Sequence, residues 1–249
     1  MTAFSRAPSF HAKETAADMT LRAELPIATG TAADFIPPRP SLGTLREAAR
    51  GCRGCKLWTV GTQTVFGEGP PRARVMVVGE QPGDQEDKEG HPFVGPAGRL
   101  LDAALQEAGI DRDSVYVTNA VKHFKWERGE KSKRRIHKKP SDGEIRACRP
   151  WLDQEMKLVR PEVVVCLGAT AAQALLGKTF RVTKSRGHKV SAAFADAVFA
   201  TVHPSSILRA PDAKSREEAR RAFVADLKKV SRFLGGSERE VRRSAQRGD

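Results

Sequence analysis

The chain has 249 residues, with 43 Lys and Arg against 30 Asp and Glu, a formal charge of +13, and 39% hydrophobic residues. That length and apolar share suit one large domain or two small ones with a core that folds unaided. No run approaches the roughly 18 apolar residues of a membrane span, and the start, MTAFSRAPSFHAKETAADM, has no apolar segment of secretory length. A cytoplasmic, nucleoid-associated monomer with a polyanionic partner and no membrane attachment is expected.

Residues 1–40 carry five prolines (Pro8, Pro26, Pro37, Pro38, Pro40) and no sustained periodicity, and read as a disordered arm. From Ser41 the pattern changes, with Leu42, Leu45, Ala48 and Ala49 on one helical face leading into Cys52. Ala73–Gly79, Val115–Asn119, Val163–Gly168 and Val198–His203 are apolar runs that predict buried strands. Helical patterns over Pro96–Ala108, Ser141–Val159 and Ala169–Leu176 lie between them, the second opened by a capping box of Ser141 and Glu144. Strands alternating with helices predict an α/β fold, three α/β/α layers around a mainly parallel sheet, spanning about 41–234. Residues 235–249 read as a charged tail. Ligands of such folds gather beyond the carboxyl ends of the strands. Here those ends are Gly79-Glu80-Gln81-Pro82-Gly83, Asn119 and His203.

The charge is uneven. Lys122–Lys139 holds nine basic and two acidic residues, and Lys214–Asp249 holds eleven basic and six acidic, so little of the excess lies elsewhere. A concentrated basic loop is the electrostatic footprint of nucleic acid, whereas the mixed C-terminal stretch reads as a solvated helix fraying into a tail. The cysteines, Cys52, Cys55, Cys148 and Cys166, begin with a C-x2-C pair. Disulfides are not expected in such a chain. Four thiolates complete a zinc tetrahedron or an iron–sulfur cluster, and the spacing does not choose between them.

GEQPGDQEDKEGHPFVGPAGRLLD (79–102), TNAVKHF (118–124), KRRIHKKPS (133–141) and TVHPSS (201–206), with the four cysteines, resemble the family 4-like uracil-DNA glycosylases, and among them the UdgX type, which excises uracil and stays bonded to the abasic site. The resemblance covers about residues 42–232 and implies a [4Fe–4S] cluster on Cys52, Cys55, Cys148 and Cys166. It implies uracil-containing DNA, single-stranded by expectation, as the partner. A glycosylase takes the base out of the stack into a pocket. Phe93 offers a ring to stack on, and Asn119 an amide with the donor and acceptor that uracil needs. His203 is placed to donate to uracil O2 as charge develops. Ser205 and Ser206 suit a DNA phosphate, and Ile207 and Leu208 a wedge into the stack. The resemblance gives Glu80 a catalytic part, orienting and deprotonating His137. It counts Asp84 with the catalytic residues as it shapes the pocket with Gln81, along with Gly79, Pro82 and Gly83, and has Arg135 fixing the loop. His137 is the expected nucleophile: a neutral imidazole is required, and Arg134, Arg135, Lys138 and Lys139 around it are expected to lower its pKa. No role falls to His11, His91, His123 or His188. The alternatives are a turning-over family 4 enzyme and a non-enzymatic, metal-stabilised DNA-binding module.

Overall fold

The computed structural model describes residues 30–129 and 134–247, with side chains as far as Gly236. In chain order the elements are α1 (Leu42–Arg50), β1 (Val75–Gly79), α2 (Asp84–Glu89), α3 (Pro96–Glu107), β2 (Val115–Asn119), β3 (Trp126–Arg128), β4 (Arg135–His137), α4 (Asp142–Val159), β5 (Val163–Leu167), α5 (Gly168–Leu176), α6 (Val182–Ser185), β6 (Lys189–Ala192), β7 (Ala195–Thr201), α7 (Pro204–Leu208) and α8 (Ala213–Arg247). The five-stranded sheet runs β2-β1-β5-β7-β6, with β2, β1, β5 and β7 parallel and β6 antiparallel at the edge.

Strands buried on both faces are continuously apolar, and their alternate residues divide between two cores. Val75, Val77, Val117, Val165 and Phe199 face α3 and α8, while Met76, Val78, Val164, Cys166 and Ala200 face α4 and α5. Helices on both faces make the expected α/β/α sandwich. The capping box at Ser141 and Glu144 is formed, and α4 starts there.

Three boundaries move. Ala32 is fully buried against Trp151 and Leu45, so the fold begins within the expected arm, whose residues 1–29 lie outside the described residues. The C-terminal helix is more than a solvated surface: Phe223 and Leu227 are fully buried under the sheet, each worth roughly 1.5–3 kcal/mol of transfer free energy. It runs without a break through the expected tail to Arg247. The hairpin β3–β4 also interrupts the βαβ succession, standing apart from the main sheet.

Candidate active site

The first strand ends at Gly79, in register with Asn119 at the end of the second. Only glycine fits there: a Cβ would stand 2.3 Å from Asn119 Oδ1 and 2.8 Å from Phe93 Cζ. The missing side chain is thus the space across which Asn119 and Phe93 face each other. Asn119 is held from behind, because Lys122 Nζ donates to its carbonyl oxygen at 2.8 Å. Phe93 adopts a positive φ of 60° between α2 and α3, a left-handed conformation that non-glycine residues hold only under tertiary constraint. The constraint is visible. Glu86 accepts from the Gly95 and Gly83 amides and braces the loop at both sides. Gly98 lets the Phe93 carbonyl approach to where a Cβ would lie only 1.6 Å away.

His203 closes this pocket, its ring 6.4 Å from that of Phe93 and inclined by 26°. Its Nδ1 accepts from the Ser205 amide at 3.2 Å and meets Ser205 Oγ at 2.8 Å, and Ser206 Oγ donates to its carbonyl at 2.7 Å. The amide bond places the ring proton on Nε2, which leaves a donor for the pocket. Burial first, then Arg209, hold the pKa down to about 4, so the ring is neutral at pH 7. Both serine hydroxyls, expected on a phosphate, are engaged with His203. Of the two expected wedge residues, Ile207 is a core side chain at 1% exposure and Leu208 is exposed.

Glu80 follows Gly79. One carboxylate oxygen, Oε2, accepts from the Thr170 hydroxyl; the other, Oε1, lies 3.5 Å from His137 Nε2. His137 ends β4, and a lock on Arg135 holds the hairpin in place. The Arg135 guanidinium donates to Asp84, to Asp87 Oδ2 at 2.6 Å and to Thr62 Oγ1 at 3.0 Å, and lies over Phe124 and Trp126. Gln81 turns both ends of its amide to the hairpin base: Nε2 donates to the Lys125 and Lys138 carbonyls and Oε1 accepts from the Lys125 amide. Asp84 and Gln81, expected to shape the pocket, therefore act on the hairpin. Asp84 is shared between Arg135 and Lys88.

The basic loop differs from its sequence reading. Lys131 and Lys133 lie outside the described residues. Lys122 is fully buried, 2.5 Å from Glu155; Lys125 pairs with Glu144 and Lys138 with Glu127. Much of the local excess is neutralised within the fold. The His137 pKa is lowered as expected, but burial is the leading cause, opposed by Glu80 and supported by Arg209. Arg209, two residues beyond Ile207, was not marked by the sequence, nor were Asp87, Glu86 and Thr170. Each is a partner of a marked residue, reached only through folding.

Cys52, Cys55 and Cys148 share one core cluster and act electrostatically on one another. Cys166 does not join them. It points to the other face of α4 among Met76, Leu152 and Ala171, and its thiol is raised to about 12 by burial alone. The remaining three have ligand-like surroundings. Trp151 Nε1 donates to Cys52 Sγ at 3.3 Å and the Lys122 amide to Cys148 Sγ at 3.2 Å. Cys52 also lines a cavity of about 640 Å³ with buried His123 and with Arg46 and Trp58. Arg46 Nε and Trp58 Nε1 are buried donors without a partner among the described residues. No group of three or more His, Cys, Asp and Glu side chains among the described residues could hold a metal ion as it stands. A zinc tetrahedron, with Zn–S near 2.3 Å, requires such convergence.

Against known proteins, the profile of the Uracil DNA glycosylase superfamily matches residues 66–228. A type-4 uracil-DNA glycosylase of Sulfurisphaera tokodaii is 35% identical over 219 residues, covering 80% of this chain and 93% of the relative. One of Thermotoga maritima is 36% identical over 189 residues, covering 76% and 92%. A type-5 uracil-DNA glycosylase of Pyrobaculum aerophilum is 32% identical over 186 residues, covering 68% and 77%. With the pocket and the sheet described above inside the matched span, the chain belongs to the uracil-DNA glycosylase superfamily.

Proposed function

We propose that the protein, a DNA N-glycosylase, excises uracil from single-stranded DNA and then bonds its own His137 to C1′ of the abasic sugar. The observation that carries this reading is the pairing of Glu80 Oε1 with His137 Nε2 across 3.5 Å, beside Phe93, Asn119 and His203. No hydrogen bond joins Nε2 to Glu80 at this distance, and the reading takes the neutral ring with its lone pair on Nε2, as attack through that atom requires. Carboxylate and lone pair both look into the gap between them. A sugar cation formed there is stabilised by the first and captured by the second.

The glycosidic bond breaks with its electron pair leaving on uracil, whose O2 takes the His203 Nε2–H bond and whose N3 and O4 meet the Asn119 amide. The Nε2 lone pair then forms the bond to C1′. The resulting imidazolium releases its Nδ1 proton to water, and uracil takes a proton from solvent. Glu80 thus serves the cation rather than removing a proton from His137. Leu208, exposed beside this site, is the residue for the vacated stack.

Cys52, Cys55 and Cys148, with His123 as the fourth donor, would hold a [4Fe–4S] cluster by turning their side chains onto it, since they do not converge as they stand. The two unpartnered donors and the N–H···S bonds suit its sulfurs. Bound, the cluster supplies a structural tie between the segment after α1, the end of β2 and α4. Burial pushes Cys55 to about 11 and Cys148 to about 12, and metal coordination deprotonates such thiols outright.

Incubation with a uracil-containing single strand, followed by a denaturing gel, tests the reading. A shifted band stable to heat and SDS is expected. His137→Ser is expected to lose the band while still releasing uracil. Release without any band from the native protein would instead mean conventional turnover, the second reading, favoured by the type-4 relatives. A brown protein absorbing in the visible supports the cluster; a colourless, zinc-containing one contradicts it.

A further inference from the structure

Thr170 is the third residue of α5, in the turn that leaves the central strand β5. Its side chain is buried, with 4% exposure. A threonine in the first turn of a helix ordinarily turns its hydroxyl to nearby main chain. This one instead donates to Glu80 Oε2, across 90 residues of sequence. The consequence is geometric. A carboxylate's terminal torsion is broad and two-fold, so a free Glu80 would share its time between orientations. With Oε2 held, Oε1 is the oxygen that faces His137 Nε2 at 3.5 Å. The same turn touches the other histidine: Gly168, at φ +87°, brings the backbone to where a Cβ would stand 3.2 Å from His203 Cβ. One turn of the central strand therefore registers the carboxylate against one histidine and packs beneath the other.

We propose that Thr170 is the positioning residue for Glu80, holding one carboxylate oxygen so that the other addresses the gap in front of His137 Nε2. It rests on the reading given under Proposed function, in which Glu80 stabilises the sugar cation. Threonine suits the task because its branched Cβ limits χ1, so the hydroxyl direction is set by the helix. Thr170 touches no substrate atom and acts only through Glu80.

The test uses the full chain in single-turnover assays on a uracil-containing single strand, reading free uracil and cross-linked product. Thr170→Val keeps the shape and removes the hydroxyl; Thr170→Ser keeps the hydroxyl and removes a methyl. Thr170→Val is expected to slow uracil release and cross-linking together by about 10²-fold, the scale of a misplaced catalytic group, with affinity for the strand unchanged. Thr170→Ser is expected to restore both rates to within a few fold. In a Glu80→Gln background, adding Thr170→Val is expected to cost nothing more, the sign of two residues acting as one. Wild-type rates in Thr170→Val, with Glu80→Gln impaired, would overturn the role of Thr170 alone. Equal losses in Thr170→Val and Thr170→Ser, tracking a lowered melting temperature, would also overturn it in favour of packing. Wild-type rates in Glu80→Gln would bring down the reading beneath it. If Thr170→Val does not fold, the Ser variant and Thr170→Ala, compared by melting and rate, carry the same decision.

Discussion

Gly79 is the smallest residue in the site and the least replaceable. Its neighbours across the pocket, Asn119 Oδ1 and Phe93 Cζ, occupy the space that any side chain would need. Gly79→Ala is expected to lower uracil release by about 10²-fold through displaced pocket groups, with a melting temperature near that of the native protein, in a single-turnover assay beside a thermal melt. The histidines respond to charge as well as to space. Burial and Arg209 lower the His137 pKa from 6.5, while Glu80 raises it. Attack needs the neutral ring, so cross-linking is expected to rise with pH through a midpoint below 6.5 and level off above it. Arg209→Gln removes a positive neighbour, raises the His137 pKa and moves that limb to higher pH; a limb that stays in place counts against the arrangement. His137 and the strand-end residues were legible as residue types in a motif. Arg209 was not, because its effect depends on where the turn after α7 brings its charge.

At the scale of elements, the hairpin β3–β4 and the end of β2 are held by polar contacts that the apolar pattern does not announce. Arg135 binds Asp84 and Asp87, neither close to it in the chain. Glu155, wholly buried on α4, accepts from Lys122, Thr118, Tyr116 and the Gly67 amide. Removing one member of such a pair strands a charge in the core, at a typical cost of 3–5 kcal/mol. Lys122→Met is expected to lose about that much in urea unfolding, and Lys122→Met with Glu155→Gln to recover most of it. A single variant as stable as the native protein would mean that water reaches Glu155. The strands and the α4 cap were readable because local pattern and tertiary role agree. The hairpin was read as a loop because its three-residue strands are too short to show an alternation.

For the whole molecule, the charge of +13 divides into internal and outward shares. Lys122, Lys125, Arg135 and Lys138 meet carboxylates within the fold, whereas Arg128 and Lys139 are exposed. Each phosphate contact adds about 0.7 to the slope of log affinity against log salt on a single strand. Replacing Arg128 and Lys139 together by Gln is expected to flatten that slope, measured with uracil-free single strands between low and moderate salt. An unchanged slope would place the strand elsewhere. The three clustered cysteines, drawn from a loop and from α4, likewise come together only in three dimensions.

The sequence by itself determined the α/β class, the four parallel strands, the capped helix before the central strand, and the strand-end residues Gly79, Asn119 and His203. These follow from hydrophobic period, capping chemistry and the rule that parallel sheets present ligands at their carboxyl ends, all local or statistical in origin. Tertiary structure alone decided that Cys166 faces the core on the far side of α4 while His123 lines the cavity beside Cys52. It also decided that Asp84 serves Arg135, and that burial and Arg209 rather than the flanking basic residues lower the His137 pKa. The physical reason is common to all of them. Coulombic and hydrogen-bonding partners are chosen by distance in space, and dozens of residues of chain separate the groups that meet.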